Sequence, residues 1–175
     1  MKSLKQWRRG VISVFWSGIT LGSAIAFSAK PTLAQAAYGS YVGVGITTGI
    51  TSDNQGDGQQ IGGVMALRYK FLRLPLSFRT QALIGEGTAI VPTVSYDIPL
   101  NWQTDAYVGA GVAFGSGETP SPIGDKTSFA IQPGVDYMIP ESKTVLFGNA
   151  IIAFDAYEDG GGTALSVQGG VGLRF

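Results

Sequence analysis

From Tyr38 to Phe175, apolar side chains recur at every second position through eight successive segments. A two-residue period belongs to β-strands, whose side chains leave alternate faces; an amphipathic helix repeats its apolar positions every three to four residues. The closing segment, residues 163–175, puts Leu165, Val167, Val171, Leu173 and Phe175 on one parity and Ala164, Ser166, Gln168, Gly172 and Arg174 on the other. The other predicted strands are 38–51, 60–70, 76–85, 88–98, 105–115, 127–139 and 144–156. Leu83 falls on an otherwise polar parity, and Pro92 marks a bulge or a weakly paired site because it cannot donate to the ladder. Segment 144–156 is apolar on both parities apart from Asn149 and Asp155, so its facing stays open.

The connections alternate. Those after the first, fifth and seventh segments are longer and rich in Gly, Asp and Ser, Glu86-Gly87 reads as a tight hairpin turn, and those after the second, fourth and sixth are compact and contain Pro. This predicts an all-β chain: an eight-stranded antiparallel up-and-down barrel with both termini on the short-turn side. Period two does not say which face is inside. The polar parity is rich in Gly, Ala and Ser, a poor solvent surface but a good lining for a narrow lumen. Its charges come in both signs, Arg68, Arg79 and Arg174 with Asp97, Asp105 and Asp136, as a neutralised interior requires. With Gln81, Gln132 and Gln168 they form the expected polar network of the lumen, and the apolar parity faces lipid, making the barrel transmembrane. Aromatic residues near strand ends (Tyr69, Phe71, Phe78, Tyr96, Trp102, Phe114, Phe129, Tyr137, Phe154, Tyr157 and Phe175) fit interfacial girdles. The alternative is a soluble periplasmic barrel with the faces exchanged, lipocalin-like, binding an apolar ligand.

The start of the chain reads as a cleavable signal peptide, 1–36. Lys2, Lys5, Arg8 and Arg9 precede an apolar stretch from Val11 to Phe27, and Ala34-Gln35-Ala36 offers a small-x-small cleavage site. The domain is then 37–175, with export through the periplasm. Five of the twelve basic residues leave with the leader, so seven basic stand against twelve acidic, a net charge of −5. That balance argues against a nucleic-acid partner. The chain has no Cys and no His, which excludes disulfides, thiolate or imidazole zinc sites and His-based triads.

No cofactor, metal or catalytic residue is expected. Ser77, Ser95, Ser128 and Ser166 have no base to activate them and read as lumen polars. Asp97 and Asp105, close across a turn, read as a solvated or Arg-paired couple and not as an acid/base dyad. Asp53, Asn54 and Asp57 supply calcium-type ligands without the spacing of a known calcium loop, and read with Glu118, Asp125, Glu158 and Asp159 as polar outer loops. Segments 52–59 and 116–126 are the expected contact sites. Tyr41, Tyr107, Arg68, Arg79 and Arg174 are bulky enough to fill an eight-stranded lumen, although the inward glycines leave room for a narrow path, so a small passive porin-like channel is the second reading.

The final strand, with Phe175 last and Val171 and Leu173 before it, resembles the closing strand of bacterial outer-membrane barrels, and the mature chain resembles the small eight-stranded family typified by outer-membrane proteins A and X. The Ala34-Gln35-Ala36 ending is similar to that of cyanobacterial precursors. The resemblance implies an outer-membrane protein in contact with lipid. It also implies a side-chain-filled lumen, outer loops that carry any recognition, and Val171, Leu173 and Phe175 as the signal read by the barrel-insertion machinery.

Overall fold

The computed structural model describes residues 39–51, 60–115, 121–157 and 162–175. The leader assigned to 1–36, and Asp53, Asn54, Asp57, Glu118, Glu158 and Asp159, lie outside the described residues.

Eight strands follow one another: β1 (Tyr41–Gly49), β2 (Ile61–Lys70), β3 (Leu76–Ile84), β4 (Thr88–Pro99), β5 (Thr104–Gly115), β6 (Ser128–Met138), β7 (Thr144–Phe154) and β8 (Thr163–Arg174). Each pairs antiparallel with its chain neighbours, and β8 closes on β1. The registers fix the shape. Paired residues run from Tyr41 through Arg68, Arg79, Thr93, Gly111, Ala130 and Ala153 to Ala164, whereas Tyr41 pairs directly with Arg174, ten positions further along β8. A shear of that size across eight strands tilts them steeply, in the range of about 35–45°. Closure leaves no unpaired sheet edge.

Inside and outside alternate along every strand. On β3, Ser77, Arg79, Gln81 and Leu83 are buried in the lumen while Phe78 and Ile84 face outward; on β4, Ala89, Val91, Thr93, Ser95 and Asp97 point in. Leu83 thus keeps the parity of its strand and enters the lumen. The outer surface is a continuous apolar belt, with Ile46 70% and Ile61 82% exposed. A water-soluble barrel of this sequence would have to hide those side chains. The open facing of β7 resolves with Val145, Phe147, Asn149, Ile151 and Ala153 inward.

Pro92 makes no bulge. The β4–β5 register is the same on both sides of it, and only the pairings at Val91 and Pro92 are missing. The same gap occurs on β6 around Pro133, between the Ile131↔Ile152 and Gly134↔Asn149 pairs. At both places the ring removes a donor without displacing the strand. Most of the predicted girdle aromatics are exposed at strand ends, but Tyr157 is buried: its hydroxyl donates to the Thr51 carbonyl at 3.3 Å, drawing the ring under the mouth of the barrel.

Candidate functional site

The lumen is built in three tiers. The tier nearest the chain termini is ionic. Arg68 on β2 sends Nη2 to Asp97 Oδ2 at 2.7 Å and to Asp105 Oδ2 at 3.0 Å, and Nη1 to Asp136 Oδ2 at 2.9 Å. Arg79 on β3 reaches Asp136 Oδ2 at 2.8 Å and Asp97 Oδ1 at 3.3 Å. Lys70 Nζ lies 3.1 Å from Asp105 Oδ2. Hydroxyls complete the shell: Ser77 donates to Asp97, Tyr41 donates to Asp136 Oδ1 at 3.0 Å, and Arg79 Nε donates to Ser95 Oγ at 2.9 Å. Three cations meet three carboxylates, so the cluster is neutral. Burying charge is tolerable only with that degree of pairing. Each carboxylate of the cluster is occupied by at least one cation.

Aromatic rings fill the space around the cluster. The Arg79 guanidinium lies 3.3 Å from the centroid of the Tyr107 ring, a cation–π stack, and Tyr41 stacks on Phe147 with centroids 6.0 Å apart. The inward glycines are the seats of these rings. A Cβ at Gly134 would come within 2.4 Å of Tyr107 Cζ, and one at Gly170 within 2.6 Å of Phe147 Cζ. At Gly43, Gly134, Gly170 and Gly172 the room a side chain would take is occupied by a ring from a neighbouring strand, whereas at Gly45, Gly62 and Gly111 it is occupied by neighbouring backbone.

The middle tier holds neutral polar groups. Thr93 donates to Gln132 Oε1 at 2.7 Å, and Gln132 donates to Asn149 Oδ1 at 3.3 Å. Gln168 Nε2 reaches Ser166 Oγ at 2.6 Å and Thr47 Oγ1 at 3.3 Å. Gln81 is buried here, and its Oε1 has no hydrogen-bond partner among the described residues. The predicted lumen residues therefore divide: Arg68, Arg79, Asp97, Asp105 and Asp136 come together, whereas Gln81, Gln132 and Gln168 form a separate tier. Arg174 sits at the terminal mouth and donates to the Ser142 carbonyl at 3.0 Å.

The third tier, at the loop end, is apolar. Leu83, Ala89, Val91, Ala130, Ile151 and Ala153 meet Ile123, Ala156 and Tyr157 in one buried cluster. Residues 121–124 form a tight turn folded into the mouth, with Ser121 and Ile123 buried. Gly124 has φ 96°, and a Cβ there would stand 2.2 Å from the Ala156 carbonyl oxygen, so this seat requires glycine. Of the expected contact segment 116–126, residues 121–124 are buried at the mouth of the barrel. Asp125, also placed in an outer loop, is half-buried next to them. Val171, Leu173 and Phe175 face outward on the belt.

The sequence reading omitted Lys70 and Ile123 from the site. Lys70 carries a signal, since it shares the parity of Arg68. Ile123 carries none. Among the described residues no group of three or more His, Cys, Asp or Glu side chains is placed to hold a metal ion.

Polar side chains within and apolar side chains without, on a closed antiparallel meander of eight strands, define an inside-out barrel with the architecture of small outer-membrane proteins. No protein-family model matches the chain, and neither does any curated protein sequence. Among solved structures it is similar to the Neisserial surface protein A, with 15% identity and a TM-score of 0.59 over 79% of this chain and 98% of that one. It is also similar to the Yersinia pestis outer membrane protein Ail (19% identity, TM-score 0.47, 78% of this chain and 98% of that one) and to a de novo designed transmembrane β-barrel (11%, 0.49, 78% and 96%). At such identities the likeness is one of fold.

Proposed function

We propose that the chain is an outer-membrane barrel protein with a closed lumen, a structural or surface-exposed component that is neither a pore nor an enzyme. One observation carries this reading: the lumen is blocked twice, by the ion cluster with its stacked rings near the termini and by the apolar plug at Ile123 near the loops. Water and ions need a continuous polar path, and buried side chains occupy the lumen at both levels. The exposed apolar belt supports insertion in lipid, and the basic, apolar, small-x-small beginning of the sequence supports export through the periplasm with cleavage after Ala36. Kinship with the outer-membrane protein A and X group, a cyanobacterial source and recognition of the Phe175 strand by the insertion machinery belong to the same proposal. So does a contact role for the loops, with residues 52–59 the first candidate.

Fractionation of cells expressing the full chain tests it, together with gel migration of unheated and boiled detergent extracts. Recovery in the outer membrane, a shift on boiling and silent planar bilayers are expected. Recovery in the soluble periplasm sinks the membrane reading; steady single-channel current sinks the closed lumen.

A further inference from the structure

The charges of the barrel are distributed unequally between its two ends. In the sequence, the stretches between β1 and β2, β3 and β4, β5 and β6, and β7 and β8 carry eight of the twelve acidic residues and one basic residue, Lys126; of these, Glu86, Asp125, Lys126 and Asp155 are described. Lys126 is itself bound to Asp155 at 2.6 Å. The ion cluster in the lumen is neutral. At the terminal end the turn between β2 and β3 carries Arg73, and the turn between β6 and β7 carries Lys143 beside a single carboxylate, Glu141. Among the described residues neither Arg73 nor Lys143 makes an ion pair, and both are exposed.

Their surroundings are apolar. Arg73 lies between Leu72, 79% exposed, and Leu74; the next turn presents Leu100 and Trp102, 76% exposed; Phe175 follows β8, whose Arg174 amide donates to the Lys143 carbonyl. Backbone bonds tie these turns to their neighbours, from the Asp97 amide to Pro75 O at 2.8 Å and from the Met138 amide to Gln103 O at 2.7 Å. Trp102 is therefore held on the turn between those of Arg73 and Lys143. Cations on long stems, flanked by exposed Leu and Trp, match the boundary where acyl chains meet charged headgroups.

We infer that the terminal end of the barrel is a docking surface for anionic phospholipid headgroups, with Arg73 and Lys143 as the headgroup contacts. The acidic loop end repels the same lipids, so the charge asymmetry also biases which leaflet each end occupies. This inference rests on the membrane reading above. A basic residue at a membrane surface enriches anionic lipid by roughly fivefold.

Trp102 is the natural reporter. The chain cleaved after Ala36 retains it as the single Trp. Refolded into vesicles of zwitterionic and anionic phospholipid, with bromine on the acyl chains of one lipid or the other, it reports the lipids at this end through quenching. Quenching by the anionic lipid should exceed its share of the bulk by about fivefold at low salt. The excess should fall with added salt, and it should vanish in Arg73→Gln/Lys143→Gln. Quenching that follows bulk composition, or an excess the double variant keeps, overturns the lipid preference and leaves the barrel reading intact. No quenching by either lipid, in a sample that still shifts on boiling, overturns the membrane placement itself.

Discussion

Arg68 and Arg79 stand directly opposite each other on β2 and β3, and both donate to the same atom, Asp136 Oδ2 on β6. Like charges facing across a ladder repel, and Asp105 faces Asp136 in the same way on β5 and β6. The two conflicts resolve each other across the lumen, where the arginines of one wall meet the carboxylates of the opposite wall. Neither strand pair is stable alone with its charges buried, so the cluster couples closure of the barrel to correct register.

Removing one member should therefore cost more than an ordinary surface ion pair. Arg68→Leu leaves Asp97, Asp105 and Asp136 short of a cation and should destabilise the barrel by about 3–5 kcal/mol. Adding Asp136→Asn restores neutrality, so the double variant should be more stable than Arg68→Leu alone. Urea unfolding of the protein refolded in lipid vesicles measures both. Equal losses for the single and double variants would mean that net charge is not the governing quantity.

Gly134 and Tyr107 make a second pair whose coupling can be tested. A methyl group at Gly134 would overlap the Tyr107 ring, with Cζ at 2.4 Å and the hydroxyl at 2.5 Å. Gly134→Ala should cost about 1–3 kcal/mol through overpacking. In a Tyr107→Ser background the ring is gone, and the cost should fall to what the remaining contact, Asn149 Cβ at 2.7 Å, imposes. A penalty that does not fall in that background would trace to Asn149 instead of the ring.

The direction in which the faces point predicts a difference in cost. Val94 lies at the centre of β4 and faces outward, 52% exposed. In lipid, Val94→Arg should cost about 2–4 kcal/mol, the penalty for a cation near the bilayer midplane. On a solvent-facing surface the same change falls within about 0.5 kcal/mol. Unfolding titrations of the variant measure it, and a cost near zero would mean that Val94 faces water and not lipid.

The strands were legible because alternation survives wherever one parity is polar, and the charges were legible as lumen residues because they share that parity. β7 was not, for a physical reason: its inward residues Val145, Phe147, Ile151 and Ala153 meet stacked rings or the dry upper tier, so both faces are apolar. The choice of partners within the cluster was also hidden. Arg68 and Asp136 are 68 residues apart, and only the shear of the closed sheet brings them to one level. Tyr157 has the sequence position of a girdle residue, and proximity to a strand end says nothing about the side of the wall. Ile123 had no signal at all, since a single apolar residue in a loop rich in Gly and Pro does not distinguish a plug from a tip.

Two blocks in series make a specific statement about conduction. Ile123→Gly removes the apolar plug side chain but leaves the ion cluster; Arg79→Ser with Asp136→Ser removes a neutral pair from the cluster and leaves the plug. In planar bilayers each of these should stay as silent as the parent, because current through two barriers in series is limited by the one that remains. Only the triple variant should show discrete openings. Openings in Ile123→Gly alone would mean that the ion cluster passes ions and that the plug is the sole barrier. Openings in the cluster variant alone would assign the barrier to the charges and leave Ile123 a packing residue. A silent triple variant that still shifts on boiling would show that the stacked rings of Tyr41, Phe147 and Tyr107 close the lumen without either partner.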